Sequence, residues 1–188
     1  MLTIPVHRSA LVRHSTLSFF LGLVSTAWLL SACAATPIAQ NASSVSALSN
    51  AHKALPGITT AAQPTPAALE AAKNDGYAAV INLRAADEDG TWDEAARAAA
   101  LGMAYVNLPI QGAADLTEAN ARALARALTA TPRPVLLHCS SGNRAGALLA
   151  LKAHVVDGLD AEAALQLARD SGVTKLEPAL RAALGLAD

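Results

Sequence analysis

The sequence predicts an α/β domain, a three-layer sandwich around a short, mainly parallel sheet of three to five strands. Three observations carry this expectation. Short runs rich in Val, Ile and Leu alternate with alanine-rich helical stretches, which is the order of βαβ crossovers. Hydrophobic residues make up 53% of the 188 residues while aromatics are only 3%, so the core must be Ala, Leu and Val in closely packed helices. The length suits one domain with a full core and is short for two.

The elements follow in order. "GITT" (57–60) is a candidate first strand. "PTPAALEAAKND" (64–75) reads as a helix, with Pro66 in its first turn and Gly76 at its end. "YAAVINL" (77–83) reads as a strand and "RAADEDG" as an acidic loop. Thr91 and Glu94 form a T-x-x-E capping box ahead of "WDEAARAAAL", which Gly102 closes. "MAYVNL" (103–108) is a further strand, ended by Pro109. In "LTEANARALARALT", Leu116, Ala119, Ala123, Leu124, Ala127 and Leu128 share one face. "PVLLH" (134–138) is the last strand, "RAGALLALKAHVV" (144–156) a nearly all-apolar helix that must be buried, and helices near 160–171 and 177–186 finish the chain.

The N-terminal part reads differently. Residues 1–32 combine Arg8 and Arg13, no acid, and an apolar run of about 14 residues, short of the roughly 20 that span a bilayer. This is the pattern of a secretory signal peptide. Its end, Leu30-Ser31-Ala32-Cys33, resembles the bacterial lipobox, in which the cysteine is lipidated and becomes the new N-terminus. The resemblance implies a chain held by lipid at Cys33 on the periplasmic side of a bacterial membrane, or secreted if Cys33 is not lipidated. Residues 33–55, small and polar, read as a flexible tether, with the domain over 56–188. Loss of the leader removes two of 14 basic residues and none of 15 acids, so the mature chain carries −3. Without a basic cluster, nucleic acid is not an expected partner.

With Cys33 committed to lipid, Cys139 has no disulfide partner. It lies in "LLHCSSGNRAGALLAL" (136–151), between strand and helix, at the carboxyl edge of the expected sheet where ligands bind. A loop entering a helix turns its backbone N–H groups toward one point, and that field stabilises both an anion and a thiolate. Cysteines in such settings ionise well below the usual value of about 8.5. Gly142 permits the turn, Arg144 offers two donors to a tetrahedral oxyanion, and Ser140, Ser141 and Asn143 complete the ring. No metal is expected, since no second cysteine or closely spaced histidine accompanies Cys139.

"HCSSGNRAG" resembles the signature loop of cysteine-dependent phosphatases, and "AQPTPAALEAAKNDGYAAVINLR" resembles the opening of the dual-specificity-phosphatase-like family that includes the phosphatase domain of beta-lactamase hydrolase-like proteins. Only four residues separate Cys139 from Arg144, as in that family and in rhodanese-like sulfurtransferases; the wider phosphatase pattern has five. The residue after the arginine is Ala145, where many phosphatases carry a hydroxyl.

The resemblance implies a phosphatase-like fold and hydrolysis of a phosphate monoester, on a small molecule or a protein, through a phosphocysteine on Cys139, with no cofactor. It points to Asp115 as the acid for the leaving oxygen; by its own position Asp115 reads as a helix cap, with Glu118 in a D-x-x-E box. Arg84 either lines the pocket or pairs with Asp87 or Glu88, and His138 either braces the loop or sits satisfied in the core. The alternatives are a sulfurtransferase carrying a persulfide on Cys139 and a non-catalytic anion-binding module. His52 and His154 suggest no function.

Overall fold

The computed structural model describes residues 47–186. The expected signal peptide, Cys33 and most of the expected tether lie outside the described residues.

Five strands form one sheet: β1 (His52–Leu55), β2 (Ile58–Ala61), β3 (Ala79–Asn82), β4 (Ala104–Asn107) and β5 (Val135–His138), in the order β1-β2-β5-β3-β4. All neighbours are parallel except the β1–β2 hairpin. β1 lies inside the stretch expected to be tether, so the domain begins before Pro56. A small, polar edge strand carries little periodicity of its own, and β2 supplies the pairing that orders it.

The strands alternate between two cores, as the period of two requires. Val80 and Leu136 face α1 (Pro66–Asn74) and α2 (Glu94–Ala100), packing with Leu69, Ala72 and Ala98. Ile81, Val135 and Leu137 face the other layer, α3 (Glu118–Ala130), α4 (Asn143–Val155), α5 (Ala161–Asp170) and α6 (Glu177–Ala183). The three-layer sandwich is thus the observed fold. α4 carries eight buried residues, Ala145 to Leu151 and Ala153, so the helix that starts at the cysteine loop is the central pillar of its layer. Gly146 lets it approach the next segment: a Cβ there would lie 2.7 Å from Val173 Cγ2 and 2.9 Å from Ser171 O.

Two caps differ from expectation. Asp93, not Thr91, caps α2 by accepting from Ala96 N, and Glu94 turns into the core at 1% exposure. Thr117, not Asp115, caps α3 by accepting from Asn120 N, so the D-x-x-E box does not form. On α3 the buried alanine is Ala121, while Ala119 is exposed.

The parallel register brings Ala61, His138, Asn82 and Asn107 into one row at the carboxyl ends of the strands. Cys139 is the next residue beyond that row.

Candidate active site

The loop from Cys139 to Arg144 is held mainly by backbone. Cys139 N donates to Ala61 O (3.4 Å), Ser140 O accepts from Gln63 N (3.3 Å), and Ala62 bridges Ser141, so the extension of β2 lies along the loop. Gly142 caps α4 at φ 92, a conformation that suits glycine, and its N–H points at Cys139 Sγ (3.1 Å). Cys139 is fully buried and is the free cysteine among the described residues. Its sulfur therefore lies against the N-terminal turn of a 13-residue helix, where the helix dipole and free amides favour negative charge.

Beneath the loop sits a buried polar chain. His138 Nδ1 lies 3.3 Å from Cys139 O, a contact that needs a hydrogen on Nδ1. His138 Nε2 lies 3.0 Å from Glu94 Oε2, without the alignment of a hydrogen bond. Glu94 Oε2 accepts from Asn82 Nδ2 (3.1 Å), which also lies 3.0 Å from the Tyr105 hydroxyl. Burial, reinforced by the charges of Glu94 and Asp93, pushes the Tyr105 hydroxyl above its usual range and keeps it protonated.

A carboxylate forms the opposite wall. Arg144 Nη1 donates to Glu88 Oε1 (2.6 Å) and Ile110 O (2.7 Å), and Nη2 donates to Glu88 Oε2 (2.8 Å). Glu88 also accepts from Arg84 Nε (3.0 Å) and Ala85 N (2.9 Å). The hydrogen bonds from Arg144, then those from Ala85 and Arg84, hold the Glu88 carboxyl down at about 2 despite partial burial. Glu88 and then the Cys139 sulfur in turn raise Arg144 above its ordinary value, so both groups are charged throughout the physiological range. Nε of Arg144 and one hydrogen of Nη2 are left over from this clamp for an oxyanion.

An open cleft of about 540 Å³ ends on Arg144 and Asn143, walled by Asp87, Glu88, Gln111, Gly112 and Lys175. Asn143 and Arg144 line this cleft, whereas Cys139 and Gly142 lie in the buried turn behind them. Other candidates stand elsewhere. Arg84 is 5% exposed and lies behind Glu88, bonded also to Gln63 and to Asp89 O, in a neighbouring hollow. Asp115 closes a 3₁₀ turn (Ala113–Asp115) and accepts from Gln111 N (2.6 Å). Ser140 and Ser141 are exposed and bond through their main-chain oxygens, to Gln63 N and Asn50 Nδ2. Asn143 Oδ1 accepts from Thr174 N (2.9 Å) and Lys175 N (2.8 Å), tying the loop to the α5–α6 connection. Sequence reasoning missed Glu88 as the partner of Arg144 and Glu94 as the partner of His138. The acidic run "ADEDG" was the available signal for the first, and nothing local signalled the second.

Residues 51–155 match the family model of the beta-lactamase hydrolase-like protein, phosphatase-like domain. A beta-lactamase hydrolase-like protein of Xylella fastidiosa (strain Temecula1) is 42% identical over 87 residues, 44% of this chain; the chain spans about a fifth of that relative's length. Among solved structures, a candidate phosphatase from Shewanella putrefaciens CN-32 superposes with a TM-score of 0.61 at 19% identity, over 76% of this chain and 95% of its own. P. aeruginosa TpbA, in a complex with phosphotyrosine, gives 0.57 at 24% identity, over 74% and 85%. At such identities the structural likeness establishes the fold, whereas the family match covers more than half of the chain and includes the whole loop from Cys139 to Arg144. The chain therefore belongs to the phosphatase-like domain family of the beta-lactamase hydrolase-like proteins.

Proposed function

We propose that this domain hydrolyses phosphate monoesters through a phosphocysteine on Cys139. The observation that carries the reading is the Gly142 N–H on the Cys139 sulfur at the start of α4, beside an Arg144 that Glu88 clamps and that the sulfur helps to keep charged. The Cys139 thiolate attacks phosphorus, forming the S–P bond as the bond to the leaving oxygen breaks. Arg144 and the loop amides take up the charge on the non-bridging oxygens. Water then cleaves the S–P bond, releasing phosphate and restoring the thiolate.

The leaving oxygen needs a proton. Glu88, held near 2, is ionised at neutral pH and cannot supply it. Asp115 is engaged by Gln111 N and is absent from the cleft lining, whereas Asp87 is exposed on the cleft wall and makes no hydrogen bond or ion pair among the described residues. We assign the acid role to Asp87, with Asp115 shaping the Gln111–Gly112 wall. Asp87→Asn should slow hydrolysis of alkyl phosphates by about 10²-fold or more and leave that of p-nitrophenyl phosphate, whose p-nitrophenolate departs unprotonated, nearly unaffected. The same pattern in Asp115→Asn with none in Asp87→Asn would reverse the assignment.

The decisive measurement is turnover of p-nitrophenyl phosphate with loss in Cys139→Ser and capture of a phosphorylated Cys139 peptide by mass spectrometry. No turnover across roughly pH 5 to 8 sinks the proposal. The four-residue spacing favours one second reading, a sulfurtransferase: incubation with thiosulfate would then add one sulfur to Cys139, and an unchanged mass removes it.

The leader ending at Cys33 supports an extension of the proposal, that the domain works on the periplasmic side of a bacterial membrane, tethered by lipid. Cys33→Ser should move the protein from the membrane to the soluble fraction; retention there rejects the lipid tether.

A further inference from the structure

The peptide unit joining Ser141 to Gly142 has both polar ends engaged. Its oxygen accepts from Asn50 Nδ2 at 2.8 Å, and its N–H donates to Cys139 Sγ at 3.1 Å. In a planar trans peptide the C=O and N–H point in opposite directions, so whatever holds the oxygen outward holds the N–H on the sulfur. The hold matters here because Gly142, at φ 92, imposes little steric bias on that peptide. Turned over, the unit would present a carbonyl lone pair to the sulfur in place of a proton.

Asn50 is itself well anchored. It sits at φ 50, a left-handed conformation that asparagine tolerates. Just before it, Leu48 is buried among Ala61, Leu69 and Leu136, and Ser49 O accepts from Ala62 N at 2.9 Å. Just after it, His52 Nε2 lies 3.0 Å from Asn50 Oδ1. Donation from Nε2 fixes which end of the amide faces Ser141. The backbone at Gly172 leaves this pair its room: a Cβ there would meet His52 Nε2 at 2.5 Å and Asn50 Nδ2 at 3.3 Å.

We infer that Asn50 is a positioning residue for the nucleophile, and that His52 sets the orientation of its amide. Together they hold the Ser141–Gly142 peptide with its N–H on the Cys139 sulfur. The inference rests on the reading of Cys139 as the working nucleophile. It gives a segment that looks like linker a part in the chemistry.

The test is the ultraviolet absorbance of the thiolate against pH, taken on the full chain as the difference from a matching Cys139→Ser protein. Arg144, Glu88, Asp87, Lys175, His138 and Glu94, the charged or titratable groups about the loop, are unchanged by the substitutions; His52 is itself titratable, so His52→Ala is read against His52→Gln, which also lacks the ring but keeps a donor. Asn50→Ala should move the absorbance rise upward by about one pH unit, a tenfold loss of thiolate below the midpoint. His52→Ala should move it the same way by less, and His52→Gln, whose amide can replace the Nε2 donor, should restore it. A folded Asn50→Ala protein with an unmoved curve overturns the inference. If Asn50→Ala does not fold, His52→Ala decides: a displaced curve supports the inference and an unmoved one overturns it. Failure of the wild type to turn over p-nitrophenyl phosphate would instead overturn the phosphatase reading, and the absorbance comparison would still decide this one.

Discussion

Two neighbouring loops make the site, and they are held in opposite ways. The loop after β5, from Cys139 to Arg144, is fixed by main-chain bonds to the end of β2, by Asn50 and Asn143, and by the buried helix it starts. The loop after β3, from Arg84 to Gly90, is fixed above all by Glu88, whose side chain is 25% exposed and is shared between two guanidinium groups. Neutral amides hold the cradle and charges hold the wall. A cradle that must receive an anion gains from donors that keep their protons at every working pH. A wall that orients Arg144 needs a partner matched to its fork.

Arg144 bridges the two loops, so its replacement should have the largest effect. Arg144→Lys keeps a charge but loses the planar fork that grips Glu88 and an oxyanion at once. Turnover of p-nitrophenyl phosphate should fall roughly 10²- to 10³-fold with the circular dichroism spectrum unchanged. A fall below tenfold would show that a point charge suffices and that the fork is incidental.

The cradle should break by steric means. Gly146→Ala places a methyl against Ser171 O and Val173 Cγ2 and pushes α4 outward. The expected cost is up to about 3 kcal/mol in urea denaturation, independent of salt. A neutral result would mean that the 171–173 segment yields, and that α4 is less firmly seated than its burial indicates.

The wall should break by titration. Because Glu88 is held near 2 in the folded chain against an ordinary value of 4.5, its contribution is complete above the ordinary value. It fades as pH falls below 4.5 and is gone once pH passes below about 2. Glu88→Gln should therefore lower stability at pH 7 by about 1 to 2 kcal/mol, after allowance for screening of a partly exposed carboxylate. The gap from wild type should close toward pH 2. An equal gap at pH 7 and pH 2 would assign the loss to packing and not to charge.

The contrast also explains what could be read beforehand. Cys139, Gly142 and Arg144 were legible because a strand, a turn and a helix in succession fix them locally, and the apolar run of α4 announces its own burial. The partners were not legible. Thr91 and Glu94 satisfy the spacing of a cap, yet Glu94 is drawn inward by His138 and Asn82, which reach it only through the parallel register of β3 and β5. Asp115 and Thr117 both suit the start of a helix, and the 3₁₀ turn before α3 decides between them. β1 and Asn50 lie in a stretch whose small polar composition is that of a linker, and a few separated apolar residues, Leu48 buried in one core and Leu55 partly buried against the other, mark its docking.

The smallest expected effect sharpens the comparison from the neutral side. Asn143 lines the cleft, but its Oδ1 faces Thr174 N, Thr174 Oγ1 and Lys175 N, away from any role as an oxyanion donor. Asn143→Ala leaves those donors to water at an exposed site, which should cost about 1 kcal/mol with no dependence on pH or salt. Asn143→Asp supplies the same acceptor with a negative charge, four residues from the sulfur and next to Arg144. It should keep the stability while raising KM for a phosphate ester, by like-charge repulsion at the cleft. If Asn143→Asp instead loses as much stability as the alanine variant with KM unchanged, the Thr174 and Lys175 contacts are not what seats the loop, and the division between an amide-held cradle and a charge-held wall fails at its edge.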